Sequence, residues 1–183
     1  MVPFLKQFAI DIYEKHKAYF SEICIVMPTR RSQKYFINYL HEYTQKTILL
    51  PEIYTIDEFV CNLTSFKTID KTEILLLLYN YQLKTDPDLS KDFKHFIGWA
   101  TLFLSDINEI DMQLADSKNI FTSLTDIKEL SYYDIPENER TPMQMNHLRF
   151  FSQLYQYYQY LHQELSEKSI GYQGLIYRKA ADE

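Results

Sequence analysis

Glycine is almost missing from this chain. Only Gly98, Gly171 and Gly174 occur in 183 residues, and none precedes position 98. Loops that fold backbone around a phosphate depend on glycine for positive φ and for close approach of their amides. The first half of the chain therefore holds no P-loop, whose signature needs glycines ahead of a Lys-Ser or Lys-Thr pair. The residues present instead are bulky: 16 Tyr and 12 Phe in a chain that is 46% hydrophobic, enough to build a core of ordinary size. Nineteen Lys and Arg against 25 Asp and Glu leave a net charge of -6. The surface as a whole repels a polyanion, so any nucleic-acid contact has to be local.

The first residues carry charges at Lys6, Asp11, Glu14, Lys15 and Lys17 and do not read as a secretory leader. Two cysteines in apolar surroundings, Cys24 and Cys61, fit a reduced, cytoplasmic setting. The longest apolar run, Ile74 to Tyr79, is far short of the roughly 20 residues a membrane helix needs.

Apolar spacing of three and four from Phe4 to Phe20 predicts an amphipathic helix. Glu22 to Thr29 is a β-branched run stopped by Pro28 and predicts a buried strand. Helical spacing returns from Arg31 to Tyr43, and Thr47 to Leu50 predicts a second strand ended by Pro51. A strand, helix, strand unit implies parallel pairing, with functional loops at the carboxyl ends of the strands, here Pro28-Thr29-Arg30-Arg31. Ile53 to Phe59 turns into a short helix, and from there the pattern is helical only. Lys71 to Lys84 is leucine-rich and reads as buried on most sides. Ser90 is the expected N-cap of a helix through Asn108, short helical pieces are expected between Asp111 and Leu130, and 131–140 is expected to be a surface loop. Thr141-Pro142 opens the longest helix, which runs to Lys168 with Gly171 marking its end. The last residues carry no closing signal, which suggests a piece of a longer chain.

Few side chains assemble into chemistry. Pro87-Asp88 with Asp92-Phe93-Lys94 spells a PD-(D/E)xK nuclease motif, but five residues within eight positions cannot place two metal ligands on adjacent strands. Asp106, Asn108 and Asp111 lack the glycine and glutamate of a calcium loop and read as solvated carboxylates at a helix end. The histidines, at 16, 41, 95, 147 and 162, show no metal-ligand spacing and read as surface or boundary residues. Tyr155, Tyr157, Tyr158 and Tyr160 read as core and interface rather than as a base-stacking platform. One phosphate grip remains: Thr29, Arg30, Arg31 and Lys34, where a strand end meets a helix start.

The order of segments is informative. Ile25 to Phe36, Pro51 to Phe59, Trp99 to Asp111 and Gly171 to Arg178 together resemble the N-terminal part of AddB-like proteins in the Bacteroidetes style, which are helicase-related and carry a PD-(D/E)xK nuclease domain at the far C-terminus. In related helicases a P-T-x-x-A segment and a later T-x-x-x-F segment touch the phosphates of single-stranded DNA. Pro28-Thr29-Arg30-Arg31-Ser32 looks like the first, with Ser32 for the usual alanine. Thr55-Ile-Asp-Glu-Phe59 looks like the second, with Asp57 where histidine is common.

The resemblance implies an α/β, predominantly helical fold: a partial P-loop-NTPase-like core, of the kind called 1A in UvrD-like helicases, over residues 1–65, and a helical 1B-like subdomain over 66–183. It implies an ATPase-dead segment, not itself an enzyme and without a cofactor, because the stretch where a Walker loop would stand, Met1 to Phe8, has no glycine. The implied work is to guide or hold DNA through Thr29, Arg30, Arg31, Lys34 and Thr55 for a nuclease elsewhere in the chain. The implied partners are DNA, an AddA-like helicase subunit and the rest of its own chain. A protein-docking module that touches no DNA is the competing expectation.

Overall fold

A computed structural model describes residues 3–86 and 93–182. The described residues form eight α-helices and four strands of two to four residues, so the fold is predominantly helical. Two compact units divide the chain, one through Leu63 and the other from Thr64. The Ser90 cap and the Pro87, Asp88 and Asp92 members of the nuclease-like motif fall outside the described residues.

In the first unit, α1 (Phe4–His16) ends in a 3-10 turn, Lys17–Glu22. Strand β1 (Cys24–Met27) leads into α2 (Arg30–Thr44), which returns to β2 (Glu52–Thr55), and α3 (Ile56–Leu63) follows at once. The two strands pair in parallel, with Cys24 opposite Glu52 and Met27 opposite Thr55. Period-2 alternation turns Ile25 and Met27 into a core shared with Ala9, Phe20, Phe36 and Leu40. The parallel unit agrees with the sequence reading, but the second strand lies later than predicted. Thr47 to Leu50 forms no strand. Pro51 stands before β2 rather than after a strand, where its missing N–H costs no ladder bond.

The second unit is built from α4 (Lys71–Thr85), α5 (Phe93–Met112), α6 (Ser117–Leu130), α7 (Pro142–Glu167) and α8 (Gln173–Asp182). A two-residue parallel pair, β3 (Lys67–Thr68) with β4 (Ile170–Gly171), ties its beginning to its end. Helices α6 and α7 pack together, as do α5 and α8, around a core of Ile74, Leu78, Phe96, Ala100, Leu104, Ile107, Leu161 and Leu175. The leucine-rich α4 is not buried on most sides. Ile74, Leu78 and Gln82, spaced by four, form its buried stripe, whereas Leu76 and Leu83 face solvent. The pieces expected after Asp111 are one 14-residue helix, α6, capped by Asp116. Thr141 does cap α7: its hydroxyl accepts from Gln144 N–H, and the Gln144 side chain accepts from Thr141 N–H, a capping box followed by Pro142.

Scarce glycine shows in the helix ends. The left-handed positions after α2, α5 and α7 are held by Gln45 (φ 45°), Leu114 (φ 53°) and Ser169 (φ 51°), and no described glycine has positive φ. Gly171 therefore does not end α7 as predicted; it lies in β4. Gly174 is needed for a different reason. A Cβ there would stand 2.3 Å from the Asn108 carbonyl oxygen, so α8 lies backbone against backbone on α5. The Gly174 N–H donates to Asn108 Oδ1 at 2.8 Å across that contact.

Candidate functional site

Parallel pairing puts the carboxyl ends of β1 and β2 at one end of the small sheet, each followed by a helix start. Thr29 is the N-cap of α2. Its hydroxyl accepts from Ser32 N–H at 3.2 Å, and Ser32 Oγ accepts from Thr29 N–H at 3.2 Å. Ser32 thus closes a capping box, a structural role that favours serine at this position.

Thr55 starts α3 in the same manner. Thr55 N–H donates to Glu58 Oε2 at 2.9 Å, and Glu58 N–H donates to Thr55 Oγ1 at 3.2 Å. The same Glu58 carboxylate reaches α2. Its Oε1 accepts from Arg30 Nε at 3.0 Å and lies 2.9 Å from Arg30 Nη2, and its Oε2 accepts from Gln33 Nε2 at 3.3 Å. The Thr55 amide and then Gln33, helped by Arg30, hold the Glu58 carboxyl down to about 2, although burial opposes them by more than Arg30 contributes. It is an anion at any physiological pH.

Of the residues singled out in the sequence, Thr29, Arg30 and Thr55 are brought to one edge, and Arg30 and Thr55 are joined there through Glu58. Arg31 and Lys34 lie exposed on α2 and take part in no ion pair among the described residues. Sequence reasoning missed Glu58, although Thr55-Ile-Asp-Glu58 has the spacing of a capping box. The edge therefore mixes two free cations with one cation already neutralised. Among the described residues no three His, Cys, Asp or Glu side chains are placed to share a metal ion.

The second unit holds a different polar cluster, and it corrects one expectation. Asp111 is not a solvated carboxylate at a helix end; it is fully buried, with relative exposure of 0%. Its Oδ1 accepts from Tyr158 OH at 2.7 Å and from Arg178 Nε at 2.8 Å. Its Oδ2 lies 2.7 Å from His162 Nε2 and accepts from Tyr172 OH. His162 is a boundary residue, as expected, and its ring meets the buried carboxylate. Arg178 Nη2 also donates to the carbonyls of Ile110 at 3.1 Å and Ala115 at 2.6 Å, tying down the turn after α5. Burial raises the Asp111 pKa, and the bonds from His162, Tyr158 and Tyr172 outweigh it, leaving the carboxyl below its usual range. Asp106 is exposed, as expected. A signal for Asp111 existed: it continues the buried stripe Phe96, Ala100, Leu104, Ile107 by one further helical step. With every ligand of the carboxylate supplied from within, this cluster is a clamp between α5, α7 and α8.

Tyr157 and Tyr158 are buried, and Tyr155 and Tyr160 pack against the same core, so these rings are not a stacking platform. No helix among the described residues is long and apolar enough to cross a membrane. Comparison of the chain with known protein families, with curated proteins and with solved structures returned no match.

Proposed function

We infer that this chain is a helicase-like segment without ATPase activity that contacts the phosphates of single-stranded DNA at the strand-end edge of its first unit. The observation that carries this reading is the register of β1 and β2, with Met27 opposite Thr55, which brings Thr29-Arg30-Arg31 and Thr55 out at one end of a parallel pair. Helix N-termini and arginines at such an edge suit phosphate oxygens. The first unit then corresponds to a partial 1A-like core and the second to a 1B-like helical insertion. In this reading the segment belongs to an AddB-like exonuclease of recombination and repair. It guides or holds DNA for a PD-(D/E)xK nuclease domain and docks an AddA-like helicase subunit.

The test is binding of labelled single-stranded DNA across low to moderate salt, with the chain and its Arg30→Ala/Arg31→Ala variant. Counterion release makes phosphate contact salt-dependent, with a slope of about 0.7 per phosphate for single strands. Salt-sensitive binding that the variant loses supports the reading, and no binding, or binding unchanged in the variant, ends it.

A protein-docking role is favoured by a separate observation. Leu130 (67% exposed), Tyr133 (80%) and Met143 (83%) are solvent-facing apolar side chains around the connection from α6 to α7, on a chain of net charge -6. Binding of that kind would be nearly indifferent to salt.

A further inference from the structure

The Glu58 carboxylate is held by four donor atoms from three residues: Arg30 Nε and Nη2, Gln33 Nε2 and the Thr55 amide. Two of the residues proposed above to grip phosphate, Arg30 and Thr55, thus already hold an anion that belongs to the chain. The donors come from α2 and from the start of α3 and converge on one point. Two oxygens accepting from a planar guanidinium fork, an amide side chain and a backbone N–H are what a phosphodiester also offers. Arg30 is 79% exposed on its side chain, so nothing seals the pair against exchange.

We propose that Glu58 is an internal competitor at this edge, an autoinhibitory carboxylate that occupies the Arg30, Gln33 and Thr55 donors and is displaced when a phosphodiester of single-stranded DNA binds there. This rests on the strand-end edge being the DNA contact. Displacement swings the Glu58 side chain outward and moves the Arg30 guanidinium from a carboxylate to a phosphate, with no covalent step. Since exposed ion pairs are weak, the competition is a modest brake. Removing it tightens binding by roughly two- to five-fold.

The experiment is fluorescence anisotropy of a labelled thymidine oligomer titrated with the whole chain at low salt. Four variants are compared with the parent: Glu58→Gln, Asp57→Asn, Arg30→Ala, and Arg30→Ala combined with Glu58→Gln. Glutamine keeps an oxygen for the Thr55 amide, so the cap of α3 survives. Asp57→Asn removes an equal charge one residue away and measures the general effect of lowering the negative charge.

The expected result is a gain for Glu58→Gln clearly above that for Asp57→Asn, and loss of the excess gain when Arg30 is alanine. Parent binding that depends on Arg30, with Glu58→Gln no better than Asp57→Asn, overturns the competitor while leaving the DNA-contact reading in place. An excess gain that persists without Arg30 also overturns it. Absence of salt-sensitive binding in the parent and in every variant overturns both.

Discussion

Two arginine–carboxylate pairs, Arg30–Glu58 in the first unit and Arg178–Asp111 in the second, each join two helices, and they differ in almost every physical respect. Arg30 and Glu58 meet at 2.9 Å in solvent, with side-chain exposures of 79% and 35%. Arg178 and Asp111 meet at 2.8 Å with the carboxylate sealed from water. An exposed pair is screened and holds two long side chains in place for little return. A buried pair resists being broken because the survivor has no water to turn to. Similar distances therefore carry different roles: the first pair can trade partners with a ligand, and the second fixes where α8 lies.

The sharpest way to break this contrast is Asp111→Ala. It leaves Arg178 without its carboxylate, with only the Ile110 and Ala115 carbonyls as partners, and removes the acceptor of Tyr158 and Tyr172. Loss of one partner from a buried pair costs about 3–5 kcal/mol. Trp99 is the single tryptophan and packs against the core of the second unit. Its fluorescence during urea unfolding reads that unit, and a loss below about 1 kcal/mol would show the cluster to be dispensable. Gly174→Ala attacks the same assembly through the backbone, because its Cβ has to displace the Asn108 carbonyl. A side-chain shift cannot relieve that overlap, and the expected cost is about 1–3 kcal/mol on the same readout.

Titration separates the clamp from the exposed edge more gently. Asp111 has a folded pKa below its unfolded value, about 3.9. It stabilises the second unit above that pH, and the contribution is lost as pH falls through the lowered value. Burial is the main cause that pushes the Tyr157 hydroxyl up to about 12 and also raises Tyr158 and Tyr172. Their contribution is complete below the unfolded value of about 10 and is lost as pH rises beyond it. The urea midpoint read from Trp99 is expected to be flat between these limits and to fall on both sides. In Asp111→Asn the acid limb is expected to shrink.

Much of the fold was legible because it rests on local signals. Thr141-Pro142 announced α7, and the run through Ile25 announced β1. What failed needed information from elsewhere in the chain. Thr47 to Leu50 is as apolar as a strand, but the register opposite β1 belongs to Glu52–Thr55, and only tertiary packing chooses between neighbouring candidates. The leucines of α4 count as buried in any average, while its neighbours cover one stripe. The Asp111 cluster draws Tyr158, His162, Tyr172 and Arg178 from 47 to 67 positions away, beyond any local pattern. The strand-end edge was legible as a place, from the strand, helix, strand order. Its charge state was not, because the partner of Arg30 lies 28 residues on.

Two smaller effects sharpen the comparison from the stabilising side and from the neutral one. Ser169 closes α7 at φ 51°, a conformation that costs a side-chain-bearing residue about 1 kcal/mol or more relative to glycine. Ser169→Gly is accordingly expected to stabilise the second unit by roughly 0.5–1 kcal/mol, a rise in the Trp99 urea midpoint. Arg30→Ala closes the scale. The residue is exposed and is not the N-cap of α2, a role held by Thr29. Glu58 keeps the Thr55 amide and Gln33 when Arg30 is gone. Its removal is expected to change stability by less than about 0.5 kcal/mol, read by circular dichroism in a melt of the whole chain. A much larger loss would mean that the Arg30–Glu58 pair is a fixed brace like Arg178–Asp111, and a brace of that strength could not release Arg30 to a phosphate.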